Sequence, residues 1–223
     1  MLLAALLGLG VGHGSAAAAT SKDSAAYVAS QVQSFYDRTK NVSAQFRQVY
    51  YHRLYRKKVV SEGRVVFKKP GRMRWDYAKP SGKVITTDGK RIQIYEPGEA
   101  RQPGQLIEQA MGSHQLPLAF SFLTGGARLE KNFRFRLLNA KKYGFSRGQV
   151  LQLRPRKPSP HYDRILFFVE AEGAARGVVR RVMIVDKEGN LNRFRFAKMR
   201  FNKKVSDSFF RFKVPRHTRR VRL

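Results

Sequence analysis

The sequence predicts a mainly β chain with some α. It reads as a large antiparallel sheet, curled or barrel-like, preceded by one amphipathic helix and interrupted by short helices. Three observations predict it. Beyond residue 41, apolar residues alternate with charged ones in stretch after stretch, the period of a strand with one dry face and one wet face. Gly, Pro, Asn and Asp break these stretches at short spacing. Near the N-terminus the period differs: Ala25, Val28, Val32, Phe35 and Tyr36 fall on one helical face.

The elements follow in chain order. The first 19 residues, MLLAALLGLGVGHGSAAAA, hold no Lys, Arg, Asp or Glu and end in small residues, the pattern of a cleaved secretory signal. They are too short and Gly-rich for a spanning helix, which needs about 20 apolar residues. The expected division is therefore a leader over 1–19 and one domain over 20–223. Asp23 or Ser24 is placed to cap the helix that follows. Val42, Ala44 and Phe46 begin the alternation. The clearest case is "RMRWDYA", with Met73, Trp75 and Tyr77 on one face and Arg72, Arg74 and Asp76 on the wet, outward face. "TDGKR" at 87–91 reads as a hairpin turn, Asp88-Gly89 supplying the positive φ. Ile92 and Ile94 alternate with Arg91 and Gln93. Residues 104–126 break the pattern. Leu106, Ile107 and Ala110 predict a short helix, and Pro117, Leu118, Phe122 and Leu123 another, ended by Gly125. Such helices would plug or cover the dry face. Phe133, Phe135 and Leu137 resume the alternation, followed by Leu151 and Leu153. "RILFFVE" is solidly apolar in its middle. "VVRRVMIVD" and "LNRFRFAKMRF" flank the turn "KEGN", with Phe194 and Phe196 against Arg193 and Arg195.

Composition narrows the function. The chain has 223 residues, enough to bury a sizeable core without a metal or disulfides. It has no cysteine, which excludes disulfides, Cys-ligated zinc, thiol catalysis and a lipidated N-terminal Cys. Lys and Arg number 45 against 15 Asp and Glu, a net charge of +30. That field draws anions, so nucleic acid, anionic lipid headgroups and lipopolysaccharide are all candidate partners. The export signal argues against nucleic acid, and so does the alternation. A base-stacking platform needs aromatic and basic residues on the same face, and here they fall on opposite faces.

No enzyme signature is present: no G-x-S-x-G, P-loop, H-E-x-x-H or dinucleotide fingerprint. His161 and Asp163 form an H-x-D pair beside Pro160, a pattern that reads more readily as surface than as a metal site. The chemistry left is binding rather than catalysis.

The stretch "EGRVVFKKPGRMRWDYAKPSGKVITTDGKRIQIYEP", residues 62–97, resembles the periplasmic outer-membrane lipoprotein carrier family (LolA-type). The family pattern is a Gly, a short strand, two basic residues and Pro, an Arg-aromatic-Arg-Trp strand and Pro, then a Thr/Ser-Asp-Gly hairpin and an aromatic-acid-Pro ending; nearly every element is here, with Met73 at the first aromatic position. "VSAQFRQ", "LPLAFSFLTG", "VVRRVMIVDKEGNLNRFRF" and "DSFFRFKVP" extend the likeness over almost the whole chain after the leader. The resemblance implies an open, strongly curved antiparallel half-barrel with a helical lid. It implies a concave face that holds the acyl chains of triacylated lipoproteins, loading by an inner-membrane ABC transporter complex, and delivery to an outer-membrane lipoprotein acceptor. It implies a monomer in the periplasm, with no cofactor. The family's latch, a basic residue before the motif Pro, matches Lys69, with Arg72 as the alternative. Its inward positions match Met73 and Trp75. On this likeness the acyl-chain candidates on the sheet are Phe46, Met73, Trp75, Tyr77, Ile92 and Ile94, then Phe133 and Phe135. Those on the lid are Leu118, Phe122 and Leu123. Two other readings stand beside it: a related half-barrel that binds or senses a different lipid, and a polyanion-binding module driven by charge.

Overall fold

The computed structural model describes residues 24–98, 102–110, 120, 122–125 and 128–222. The leader expected at 1–19 and the lid candidate Leu118 lie outside these residues. Helix α1 (Ala25–Asp37) forms where the apolar face was read, and of the two candidate caps Ser24 is the one used. Its side chain accepts the Tyr27 N–H at 3.1 Å, satisfying one of the donors a helix start leaves free. Val28, Ala29, Val32 and Tyr36 are buried on the inward stripe.

The rest is one sheet of 12 strands: β1 (Asn41–His52), β2 (Lys57–Lys68), β3 (Arg72–Tyr77), β4 (Val84–Thr87), β5 (Arg91–Glu96), β6 (Gln105–Ala110), β7 (Phe133–Leu138), β8 (Gly148–Pro155), β9 (Arg164–Glu170), β10 (Val179–Val185), β11 (Leu191–Phe201) and β12 (Arg219–Arg222). The order is β12-β6-β5-β4-β3-β2-β1-β11-β10-β9-β8-β7. Every pairing is antiparallel except β12 with β6, which is parallel. The end strands β12 and β7 do not meet, so the sheet is open. It is also strongly curled. Trp75 on β3 and Phe194 on β11 are three strand spacings apart, roughly 14 Å across a flat sheet, yet their rings sit 5.4 Å apart. Helix α1 lies in the hollow, where the Tyr36 hydroxyl accepts the Val179 N–H at 3.2 Å.

The 87–91 hairpin turn forms as read: Asp88 Oδ1 accepts from Lys90 N–H at 2.8 Å and Arg91 N–H at 3.0 Å, and Gly89 has φ +96°. The helix expected at Leu106, Ile107 and Ala110 does not. Those residues form β6, which pairs with β5 from Arg91↔Ala110 to Glu96↔Gln105 and with β12 on its other side. Two partner strands satisfy this segment's backbone more fully than one helical turn would, so tertiary pairing overrides the local pattern. Past it, Phe120 is helical and Phe122–Thr124 form a 3-10 turn. A four-residue helix, α2 (Leu129–Asn132), leads into β7, and its Leu129 N–H donates to Gln33 Oε1 on α1 at 2.9 Å.

The solid apolar run of β9 has a reason. Ile165, Phe167 and Val169 face the hollow. Leu166 and Phe168 face the convex back, where Phe145 covers them in a second small cluster. A strand covered on both faces needs no polar positions.

Candidate functional site

The hollow of the sheet is apolar across its centre. Val42, Ala44 and Phe46 of β1, Val65 and Phe67 of β2, and Met73 and Trp75 of β3 are buried in one cluster with Leu151 and Leu153 of β8, Phe167 of β9, Val182 of β10, and Phe194 and Phe196 of β11. Aromatic rings interlock at its centre. Phe46 stands edge-on to Trp75 at 4.8 Å and to Tyr77 at 4.9 Å. Phe120, from the segment that covers the hollow, drops into this set. It lies 5.4 Å from Trp75, 5.3 Å from Phe194, 5.9 Å from Phe67 and 6.4 Å from Phe196. Each such pair adds about 0.5–1.5 kcal/mol beyond the area it buries. Leu123 is buried beside it. The space left between Leu123, Tyr36, Phe67 and Phe196 is about 10 Å³, no more than a single water would need.

Polar groups in the hollow are few, and one of them, the Tyr162 hydroxyl, is buried there without a hydrogen-bond partner among the described residues. The Tyr77 hydroxyl donates to Gln48 Oε1 at 2.9 Å, and burial pushes its pKa up to about 12. Burial also pushes Tyr36 far above the ordinary tyrosine range. Both are neutral phenols at any physiological pH.

The expected sheet residues gather on one side. Phe46, Met73, Trp75, Tyr77, Phe133 and Phe135 all belong to or pack on the central cluster. Cross-strand register puts Ile92 opposite Thr87 and Ile94 opposite Ile85, continuing the inward row from Met73 and Trp75. Phe122 and Leu123 share the 3-10 turn. Sequence reasoning did not single out Phe67, Phe120, Phe194 or Phe196 as site residues. Alternation gave Phe194 and Phe196 a face, but nothing local says that β11 folds across from β3.

Lys69 spans two elements. Its Nζ donates to the Tyr36 carbonyl at 2.6 Å and the Asp37 carbonyl at 3.3 Å, the open C-terminal end of α1. A cation there meets unsatisfied carbonyls and the negative end of the helix dipole, and a compact ammonium suits two adjacent carbonyls without a planar fork. The Lys69 methylenes pack on Gly125 just after the 3-10 turn, and the Gly71 N–H donates to Thr124 O at 3.0 Å. The β2–β3 turn thus holds both the helix and the covering segment.

Arg72 is not at the lid. It lies on the convex face, 3.3 Å from Asp207, because it shares a face with Lys68 across the β2–β3 register. The expectation that Arg72, Arg74 and Asp76 simply face water is also corrected. The chain after β11 crosses this back as a strap. Lys68 Nζ reaches Val205 O and Asp207 Oδ1, both at 2.6 Å. Arg74 pairs with Asp76 at 2.9 Å, donates to Phe209 O at 2.9 Å and lies 4.9 Å over the Phe209 ring. The Thr86 hydroxyl sits 2.9 Å from Phe210 O, and the Tyr95 ring lies 5.0 Å from the Phe212 ring, tilted by 37°.

Among the described residues no three His, Asp or Glu side chains come close enough to hold a metal ion. His161 is exposed, and Asp163 pairs with Arg154 and Arg164. Among the described residues no helix is long and apolar enough to cross a membrane.

Known proteins share this layout. The sequence profile of the family described as outer membrane lipoprotein carrier protein LolA matches residues 37–213. An outer-membrane lipoprotein carrier protein of Dechloromonas aromatica (strain RCB) is 27% identical over 186 residues, 83% of either chain. One from Cupriavidus pinatubonensis is 30% identical over 158 residues, 70% of this chain and 68% of that one. An uncharacterized conserved protein of Thermus thermophilus superposes with a TM-score of 0.51 at 11% identity, covering 89% of this chain and 99% of its own, and shares the fold. With more than half the chain matched and the same open, curled sheet underneath, this protein belongs to the outer membrane lipoprotein carrier protein LolA family.

Proposed function

We propose that this protein is a periplasmic carrier that shields the acyl chains of triacylated lipoproteins and moves them from the inner to the outer membrane. It binds and hands over, and performs no catalysis. The observation that carries the reading is the docking of Phe120 among Trp75, Phe67, Phe194 and Phe196. An apolar hollow is closed by a short separate segment rather than by a second sheet. Small-molecule sites run to about 300–1,000 Å³, whereas the gap between Leu123, Tyr36, Phe67 and Phe196 is about 10 Å³. Cargo would enter by displacing Phe120 and Leu123, trading their contacts for its own. Such exchange keeps binding reversible, because apolar burial at about 25 cal/mol per Å² is gained by the cargo and lost by the lid. In this reading residues 1–19 are a leader removed on export and the carrier is a monomer. It is loaded by an inner-membrane ABC transporter complex and unloaded onto an outer-membrane acceptor. The family membership supports the reading; the partners are the proposal's own.

The test starts from protein purified without detergent, whose organic extract is read by mass spectrometry, followed by displacement of a hydrophobic dye by a fatty-acyl ligand. Acyl-chain displacement by wild type, and its loss in a folded Met73→Glu protein, is the expected result. A carboxylate in a sealed core costs several kcal/mol, whereas in an opened hollow water reaches it. If Met73→Glu cannot fold, Met73 is sealed core. If it folds and binds like wild type, Met73 lies outside the site. A free lipid as the sole extracted species would favour the related lipid-binding half-barrel.

A further inference from the structure

The β1–β2 hairpin is longer than anything beside it. Its strands pair from Asn41↔Lys68 to His52↔Lys57. On one side, β3 begins pairing only at Gly63, so Lys57–Glu62 has no strand against it. On the other side, β11 stops at Tyr51↔Leu191. The turn Arg53–Arg56 therefore projects past both neighbours, its base pinned by Arg53 N–H donating to Asn190 Oδ1 at 2.8 Å.

Large apolar side chains sit bare on this projection. Leu54 is 78% exposed and Tyr55 73%, and Val59 and Val60 follow at 47% and 44%. Among the described residues, these are four of the five large hydrophobics that stand out in solvent, the other being Tyr143. Arg53, Arg56, Lys57 and Lys58 surround them, all exposed. No Asp or Glu occurs between Arg38 and Ser61.

We infer that the 53–60 hairpin tip docks the protein on an anionic phospholipid bilayer, inserting Leu54 and Tyr55 among the headgroups. An exposed apolar cluster signals a partner. Its chemistry selects a bilayer over a protein pocket, because Lys is depleted from the cores of protein interfaces. A basic rim with an apolar tip instead matches a peripheral membrane anchor, and Tyr favours the interfacial zone. The docking also has a direction. Tyr50 pairs with Val59 on the face that carries Phe46 and Gly63, so the hairpin extends the wall of the hollow. A tip in the headgroups would bring that end of the hollow to the membrane.

Vesicles of phosphatidylethanolamine, with and without phosphatidylglycerol, provide the test, with no cargo and no other protein present. Failure would leave the carrier reading untouched. Because the chain has no cysteine, Leu54→Cys accepts a single environment-sensitive dye at the tip. The expected result is a blue shift on adding anionic vesicles, reversed by high salt as screening shortens the reach of the charges. Leu54→Ser/Tyr55→Ser should weaken co-sedimentation about tenfold or more. Lys57→Ser/Lys58→Ser should weaken it roughly thirtyfold, at about one decade for each ~1.4 kcal/mol. Lys203→Ser/Lys204→Ser removes the same charge from an exposed loop elsewhere and should change little. An unshifted dye, or an equal loss in the Lys203/Lys204 variant, overturns the inference: the first removes insertion, the second leaves only a diffuse field. All three sites are exposed, so matching thermal unfolding of the variants checks that each loss comes from the surface.

Discussion

Strand β3 presents two chemistries one residue apart. Met73, Trp75 and Tyr77 enter a hollow with almost no charge. Arg72, Arg74 and Asp76 enter a network in which every member has a named partner. Both faces are covered, and the difference lies in what covers them. Inside the hollow, α1, Phe120 and Leu123 meet the sheet mainly through apolar contact, with polar ties only at the rim through Lys69 and Gly71, and apolar contact is non-directional and can be exchanged for a ligand's. The back is closed by a strap through hydrogen bonds and ion pairs, whose geometry is specific and whose removal leaves groups unpaired. A binding protein of this form needs one wall that can repack and one that cannot. β3 is where the two meet.

Four substitutions or conditions test that contrast. The largest effect should come from Trp75→Ala, which empties the centre of the ring cluster. Such truncations cost about 3–5 kcal/mol, so thermal unfolding should fall sharply and acyl displacement should vanish with it. A loss under about 1 kcal/mol would mean the hollow collapses without its ring and the cluster is not the core.

Next comes Arg74→Ala. It deletes the bonds to Asp76 and Phe209 and the stacking on the Phe209 ring. Charged hydrogen bonds of this kind are worth about 1.5–3 kcal/mol. Stability should fall by that order while acyl displacement stays at the wild-type level. Equal damage to binding would show that the two faces are coupled through β3.

Lys69→Leu should cost less, about 0.3–1 kcal/mol for the helix-terminal charge. Its signature is kinetic. With α1 and the 122–125 turn no longer tied by one side chain, cargo should load but leave more slowly for acceptor vesicles. Transfer at the wild-type rate would remove Lys69 from the latch role and leave the Gly71–Thr124 backbone bond as the tie.

The smallest effect is acidic. The Lys68 ammonium, bonded at 2.6 Å and helped by Arg72, holds the Asp207 carboxyl below its usual range. A carboxylate whose pKa is lowered on folding stabilises above the unfolded value, and the contribution is lost as pH falls through the folded one. The strap around Val205–Phe212 should therefore loosen below about pH 4, seen as faster backbone hydrogen exchange there while the hollow stays protected. Asp207→Asn should abolish that pH dependence. If exchange accelerates equally in both faces, the strap is not an independent unit.

Gly63 shows how much a single letter can record. A Cβ there would collide with the Asp76 carbonyl and come within 2.8 Å of the Phe46 ring. The Gly in "EGRVVF" marks the place where β2 lets β3 and an inward aromatic approach together. The sequence shows only that a Gly stands there; the requirement for a bare backbone and the identity of the neighbours come from the fold.

By itself the sequence determined whatever depends on nearest neighbours. A helix cap at Asp23 or Ser24, the apolar stripe of α1, the Asp88-Gly89 turn and the two faces of β3 all follow from periods and turn chemistry within a few residues. Many of the inward site residues were legible in two steps: period two puts Met73, Trp75 and Tyr77 on one face of their strand, Ile92 and Ile94 on one face of theirs, and Phe133 and Phe135 on one face of theirs, and the family likeness implied that these faces look inward. Tertiary structure alone decided which faces meet. Gln105–Ala110 became a strand because β5 and β12 offered edges on both sides. Phe194 and Phe196 joined Trp75 because the sheet curls through strands remote in sequence. Arg72 and Arg74 were covered by a strap from far along the chain, as the Arg74–Phe209 bond spans 135 positions. The Leu54–Tyr55 tip stood free because β3 and β11 stop short of it. Periodicity is a property of the chain's own backbone geometry, whereas curvature, coverage and overhang are set by pairings whose cost and reward lie between segments far apart in the chain.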